Sequence, residues 1–245
     1  MRVLVLLLLA LPLAACGGGD DQAEGQQELT VLAAASLTDA YEELAATFTE
    51  QTGAEVTFSF GSSTDLAEQA ADGAPGDVLA TADEASMQVA EDAGVAGEVT
   101  TFATNVLVIV TPPENPAGIE GLDDLTGSTW VRCADEVPCG RVALAVLEAG
   151  GVTSEPASLE EDVRATLDKV ISGEADAGLV YATDAVAAGD AVETVEIPGA
   201  EEQTTSYFTT PLSQSEDAGL AAEWVELVTS EEGQEILVDA GFTLP

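Results

Sequence analysis

From Leu29 onward, short apolar runs alternate with stretches whose apolar residues recur at helical spacing. Residues 29–34 form a buried-type strand pattern, and Leu37, Tyr41, Leu44, Ala45 and Phe48 then predict a helix over about 38–51. The rhythm repeats with a strand at 55–60, a helix at 65–71, a strand at 77–80, and a helix at 84–93 that Asp83 is placed to cap. A continuous apolar strand at 105–110 stops at Pro112-Pro113. A second set follows: a short helix at 122–125, a strand at 128–132, a loop at 133–140, helices at 141–149 and 159–172, a strand at 177–181, and a short helix from Asp184. Residues 191–197 and 204–208 return the chain, and 217–240 predict two closing helices with Leu220, Trp224, Leu227 and Val228 on one face. Such βα alternation builds parallel or mixed sheets covered by helices. The chain is therefore read as an α/β protein of two lobes, 29–106 with 207–245 and 107–206.

The first sixteen residues read as a processing signal. Arg2 precedes an apolar run, 3–13, which is shorter than the roughly 20 residues of a membrane-spanning helix. It ends in Leu13-Ala-Ala-Cys16, which resembles a bacterial lipoprotein signal whose cysteine becomes the lipidated first residue. An ordinary secretory signal would leave Cys16 a stray thiol in an oxidising space. Residues 17–28 read as a flexible tether with a reach of roughly 20 Å. The expected location is extracytoplasmic, anchored to the membrane by lipid at Cys16.

Charge narrows the partners. Five Lys and Arg stand against 46 Asp and Glu, a formal net charge of −41. Nucleic acid needs a basic face and is excluded as a partner. Charge-driven adhesion to an anionic membrane is disfavoured too. Solubility in a salty medium explains most of this acidity. Beyond the leader, the basic residues are Arg132, Arg141, Arg164 and Lys169, all within one short interval that offers an anion local relief.

Two further cysteines, Cys133 and Cys139, lie six apart in a loop containing Pro and Gly, a pattern that suits a small disulfide in an oxidising compartment. The alternative, a reactive or metal-binding thiol pair, lacks a histidine partner because the chain contains none. That same lack removes Ser-His and Cys-His nucleophile pairs, HExxH zinc sites and an imidazole general base. Carboxylates are so abundant that no single pair points to hydrolysis. No catalysis and no cofactor are expected.

Two segments carry more specific chemistry. Val31-Leu-Ala-Ala-Ala-Ser36-Leu-Thr-Asp-Ala40 and Phe58-Ser-Phe-Gly-Ser-Ser-Thr-Asp-Leu66 each break from a strand pattern into small hydroxyl residues and then into a helix pattern. That arrangement aims free backbone N–H groups and hydroxyls at an anion. Ser36 and Ser63 could equally be ordinary helix N-caps, and Tyr181 a core residue with its hydroxyl at the rim. Arg164 is read as a helix-surface charge or as a partner for a nearby carboxylate such as Asp162 or Asp135, and Asp184 as the cap of the helix that follows.

Together with Gly73-Ala-Pro-Gly-Asp77, Glu161-Asp-Val-Arg164, Gly178-Leu-Val-Tyr181-Ala-Thr-Asp184 and Glu232-Gly-Gln-Glu-Ile-Leu, these motifs occur in an order that resembles the molybdate-binding proteins, the receptors of molybdate ABC importers. The likeness runs from Leu29 to Pro245. It implies the two-lobed periplasmic-binding-protein fold of type II, with ligand in the interlobe cleft. It further implies that Ser36 and Ser63 bind the oxyanion through hydroxyl and backbone N–H, Cys139 and Val163 through backbone N–H, and Tyr181 through its hydroxyl. Relatives tend to have a small residue such as alanine at the Cys139 position. The implied function is capture of molybdate or tungstate by a monomer that passes it to an ABC permease, the metal being held within its oxyanion and not coordinated directly. The alternatives are a receptor for another oxyanion or a small organic solute, or a surface lipoprotein or enzyme that reuses the fold.

Overall fold

β1 (Glu28–Ala34) runs through the middle of a sheet with β2 (Glu55–Gly61) and β3 (Val78–Thr81) parallel on either side. Four of the last five residues of β1's apolar run are essentially inaccessible, which explains its lack of alternation. This computed structural model describes residues 27–245. The expected signal, the expected lipidation site Cys16 and the expected tether as far as residue 26 lie outside the described residues. The last two residues expected in the tether belong to the fold: Gln27 C=O accepts from Glu55 N–H at 2.8 Å, and Glu28 opens β1.

α1 (Thr38–Thr52) links β1 to β2, α2 (Ser63–Ala71) links β2 to β3, and α3 (Glu84–Asp92) leads to β4 (Thr100–Asn105). After Val106 the chain enters a second sheet as β5 (Leu107–Thr111). There β6 (Trp130–Cys133), α4 (Pro138–Ala149), β7 (Ser158–Glu160), α5 (Val163–Ile171), β8 (Ala177–Tyr181), α6 (Ala182–Ala188) and β9 (Glu193–Val195) follow. β10 (Thr205–Pro211) returns to the first sheet two residues ahead of Tyr207, and α7 (Ala218–Thr229) and α8 (Glu231–Asp239) pack on α1.

The two sheets share one plan. The first has the order β2-β1-β3-β10-β4 and the second β7-β6-β8-β5-β9. In each, three parallel strands are followed by one antiparallel strand that the chain lays down on arriving from the other lobe. The cores differ in filling. Trp224 is the hub of the first, with Tyr41, Phe48 and Phe58 at 5.3–5.8 Å between ring centroids. The second is largely aliphatic, built on Ile109, Val110, Leu167, Val170 and Leu179 around Trp130.

Four expectations change. The run at 105–110 is split at Val106 between two sheets. The helix expected at 159–172 begins only at Val163, because Ser158–Glu160 pairs with β6 as an edge strand. α4 starts at Pro138, so Cys139 lies in its first turn and not in a loop. Asp184 is the third residue of α6 and not its N-cap, and it caps the helix from there, its Oδ2 accepting from Tyr181 N–H at 3.2 Å.

Candidate functional site

The C-terminal ends of β1, β2 and β3 meet those of β6, β7 and β8 across one cleft, where open α/β sheets bind ligands. The cleft leaves a cavity of about 20 Å³ between its walls. Sites for drug-sized molecules span about 300–1,000 Å³, so this one suits a small solute. Ser36, Ser63, Cys139, Val163 and Tyr181 all line it, although they come from five separate segments.

Ser36 sits in the single 3-10 turn, Ala35–Leu37, between β1 and α1. Its Oγ is 2.7 Å from Tyr207 Oη. Ser63 is the first residue of α2, and its Oγ accepts from Ala82 N–H at 2.9 Å, which leaves its own proton free. In α4 the N–H of Arg141 is bonded to Val137 C=O at 3.0 Å, while Cys139 N–H, two residues earlier, has no intrahelical acceptor. Val163 opens α5 in the same way, its neighbour Asp162 capping Ala165 N–H at 2.9 Å. Helix starts carry partial positive charge, so the two N–H groups suit an anion without a counter-ion.

Tyr181 closes β8 with its ring buried and its hydroxyl without a hydrogen-bond partner among the described residues. Burial pushes this phenol well above its ordinary range, helped by Tyr207, Asp83 and Asp184 and opposed by Arg141. It therefore stays protonated and can donate. Ser62, which the sequence reading passed over, also lines the cleft, and its buried Oγ likewise has no partner. It occupies the N-cap position of α2 without making a capping bond. The signal was the serine doublet: only one of two adjacent serines can cap the helix.

A bridge joins Cys133 to Cys139 with Cα atoms 5.7 Å apart. It ties the first turn of α4 to the end of β6. Gly140 follows, and a Cβ there would lie 1.7 Å from Ala134 C=O, so only glycine lets the helix start approach this loop.

The basic residues do not line the cleft, contrary to expectation. Two of them join the lobes beside it. Arg141 of α4 reaches Asp83 of the first lobe, Nε to Oδ2 at 2.6 Å, and donates to Ser86 Oγ at 3.1 Å. Arg164 pairs with Asp39 of α1 and with Asp184 at 2.8 Å, rather than with Asp162 or Asp135. Asp135 is taken by Arg132 at 2.7 Å. Asp184 is fully buried, and that burial pushes its carboxyl up to about 7 although Arg164 pulls the other way. Burial acts to lower the Arg164 guanidinium, but Asp184 and Asp39 outweigh it and hold it above its ordinary value. Among the described residues, no group of three or more His, Cys, Asp or Glu could hold a metal ion, and no helix is long and apolar enough to cross a membrane.

A two-lobed α/β fold with its donors gathered in the cleft is the design of a solute receptor. The family of bacterial extracellular solute-binding proteins matches residues 29–243. The molybdate-binding protein ModA of Mycobacterium tuberculosis is 38% identical over 99% of this chain and 97% of its own length. That of Escherichia coli is 31% identical over 89% of each. Among solved structures, the periplasmic molybdate-binding protein of Azotobacter vinelandii superposes with a TM-score of 0.80 at 24% identity, covering 89% of this chain and 99% of its own. The chain belongs to the bacterial extracellular solute-binding proteins, among the molybdate-binding proteins of ABC importers. Its relatives are transport receptors and not enzymes.

Proposed function

We propose that this chain captures molybdate or tungstate in the interlobe cleft and presents it, as a monomer anchored by lipid at Cys16, to the permease of an ABC importer. The observation that carries this reading is the pair of buried hydroxyls of Ser62 and Tyr181, unpartnered among the described residues, in a cleft whose further donors are the Ser36 and Ser63 hydroxyls and helix-start N–H groups. A buried dianion needs a full set of such donors, because an unsatisfied buried charge is very costly. Ser36, Ser63 and Tyr181 would donate through hydroxyls, and Cys139 and Val163 through N–H. The similarity to molybdate-binding proteins over the whole chain supports the choice of anion. Sulfate has the same charge in a smaller shell, and hydrogen phosphate carries a proton that would find no acceptor among donors alone.

Calorimetric titration of the chain from Gln27 onward with molybdate, tungstate, sulfate and phosphate tests the reading. Binding of the first two, with sulfate and phosphate much weaker, is the expected result. Binding of sulfate as tightly as molybdate, or of none of the four, would sink it.

A further inference from the structure

The Ser36 hydroxyl can serve an anion only if its proton points into the cleft, and a chain of three residues controls that direction. Asn105, the last residue of β4, is buried where the chain passes from one lobe to the other. Its Oδ1 accepts from Val106 N–H at 2.9 Å. A backbone N–H can only donate, so the amide cannot be turned round, and its NH2 group must face the other way. That group reaches Thr183 Oγ1 at 2.9 Å and Tyr207 Oη at 3.4 Å. Tyr207 is fully buried, and burial pushes its phenol far above the ordinary range, so it carries its proton at every relevant pH. Its oxygen receives Asn105, and the acceptor left for its proton is Ser36 Oγ at 2.7 Å. Were the serine instead to donate to the tyrosine, the phenol proton would be buried with no acceptor, which is costly.

We propose that Asn105 and Tyr207 are positioning residues that fix the polarity of Ser36, making it an obligate donor and so biasing the cleft toward fully deprotonated oxyanions. This rests on the oxyanion reading above. The backbone N–H of Val106 sets the first link, so the direction of the last proton is written into the crossing between lobes.

The test is a double-mutant cycle, read by titrating the full chain with sodium molybdate at pH 8. Asn105→Asp can only accept there, so Tyr207 would turn its proton toward the new carboxylate and Ser36 would donate to Tyr207. An oxygen lone pair would then face the anion, and affinity should fall roughly 100-fold. Tyr207→Phe leaves Ser36 its proton and should lower affinity by no more than about 10-fold. The combined variant keeps the added charge but cuts the relay, so its affinity should return to within about threefold of Tyr207→Phe alone.

An unrecovered double variant would mean that added charge alone weakens binding, and would overturn the proposal. Tighter binding by Tyr207→Phe would overturn it as well, since the serine would then have been donating to the tyrosine. That sign stands even if Asn105→Asp does not fold, which melting without ligand reveals. Failure of the unaltered chain to bind molybdate overturns the function reading and this inference with it. Normal binding by the unaltered chain and by a folded Asn105→Asp overturns this inference alone.

Discussion

The two lobes share a strand plan but supply different chemistry to the cleft. The first offers serine hydroxyls, and at least two of these are held by bonds from their own lobe: Ser36 by Tyr207 and Ser63 by Ala82 N–H. The second offers backbone N–H groups at Cys139 and Val163, and one tyrosine hydroxyl. A hydroxyl donor is aimed by hydrogen bonds and can be deleted one atom at a time. A backbone donor is aimed by the shape of the chain around it, so only moving the helix start removes it. In the second lobe that shape is enforced at α4 by Gly140 and the Cys133–Cys139 bridge.

The contrast breaks most severely at Gly140. Gly140→Ala drives a Cβ into Ala134 C=O, and the helix start must shift. Overpacking of this kind costs about 1–3 kcal/mol of stability, and we expect molybdate binding to be nearly abolished, as read by melting and titration. Deleting a hydroxyl should act differently. Tyr181→Phe removes a buried group that has no partner among the described residues, so the unliganded melting temperature should hold or rise. Affinity should fall by about 1.5–3 kcal/mol, the worth of a hydrogen bond to a charge. A loss of unliganded stability in place of affinity would put the tyrosine in the core and not in the site.

The bridge sharpens the comparison. Replacing both Cys133 and Cys139 with serine opens a six-residue loop, worth roughly 2 kcal/mol of stability on chain-entropy grounds. Affinity should weaken with it, because Cys139 N–H loses its tether. Unchanged affinity would mean that Gly140 packing suffices.

Asp184 adds a pH dependence confined to the second lobe. Its folded carboxyl titrates at about 7, above the roughly 3.9 of an unfolded chain. Its contribution is therefore fully present below about pH 4 and is lost as pH rises through 7. Relative to Asp184→Asn, the unaltered chain should lose roughly 2 kcal/mol between pH 5 and pH 8, measured by parallel denaturant melts. The smallest effect concerns the lobe-to-lobe ion pair of Arg141, which is partly exposed. Arg141→Gln should weaken binding by up to about 1 kcal/mol, mainly through faster release, and less so at high salt.

Much of this architecture was legible in the sequence because apolar spacing reports burial directly. The elements that escaped are those with a short or mixed apolar pattern. β4 and β7 are edge strands of their sheets, and the three residues of β7 are only half-buried or exposed, so no apolar pattern marks that strand. Asn105 was read into the strand at 107–110 because it adjoins that apolar run, and which sheet a residue joins is a tertiary matter. At the site, the five residues carried over by resemblance all reach the cleft. Tyr207 was not legible there, since its hydroxyl meets a serine 171 positions away. The cations misled: their clustering along the chain suggested an anion pocket, yet Arg141 and Arg164 instead join the two lobes.

The exchange of antiparallel strands bears on the order in which the protein assembles after export. All five strands of the second sheet lie between Leu107 and Val195 in one continuous stretch. The first sheet stays divided, β3 and β4 unjoined, until β10 slots between them. A chain threaded across a membrane from its N-terminus thus delivers β1 to β4 first but completes them last. The unfinished edges of β3 and β4 are the surfaces most open to mispairing in that interval, and the later-emerging lobe can be the first to stand.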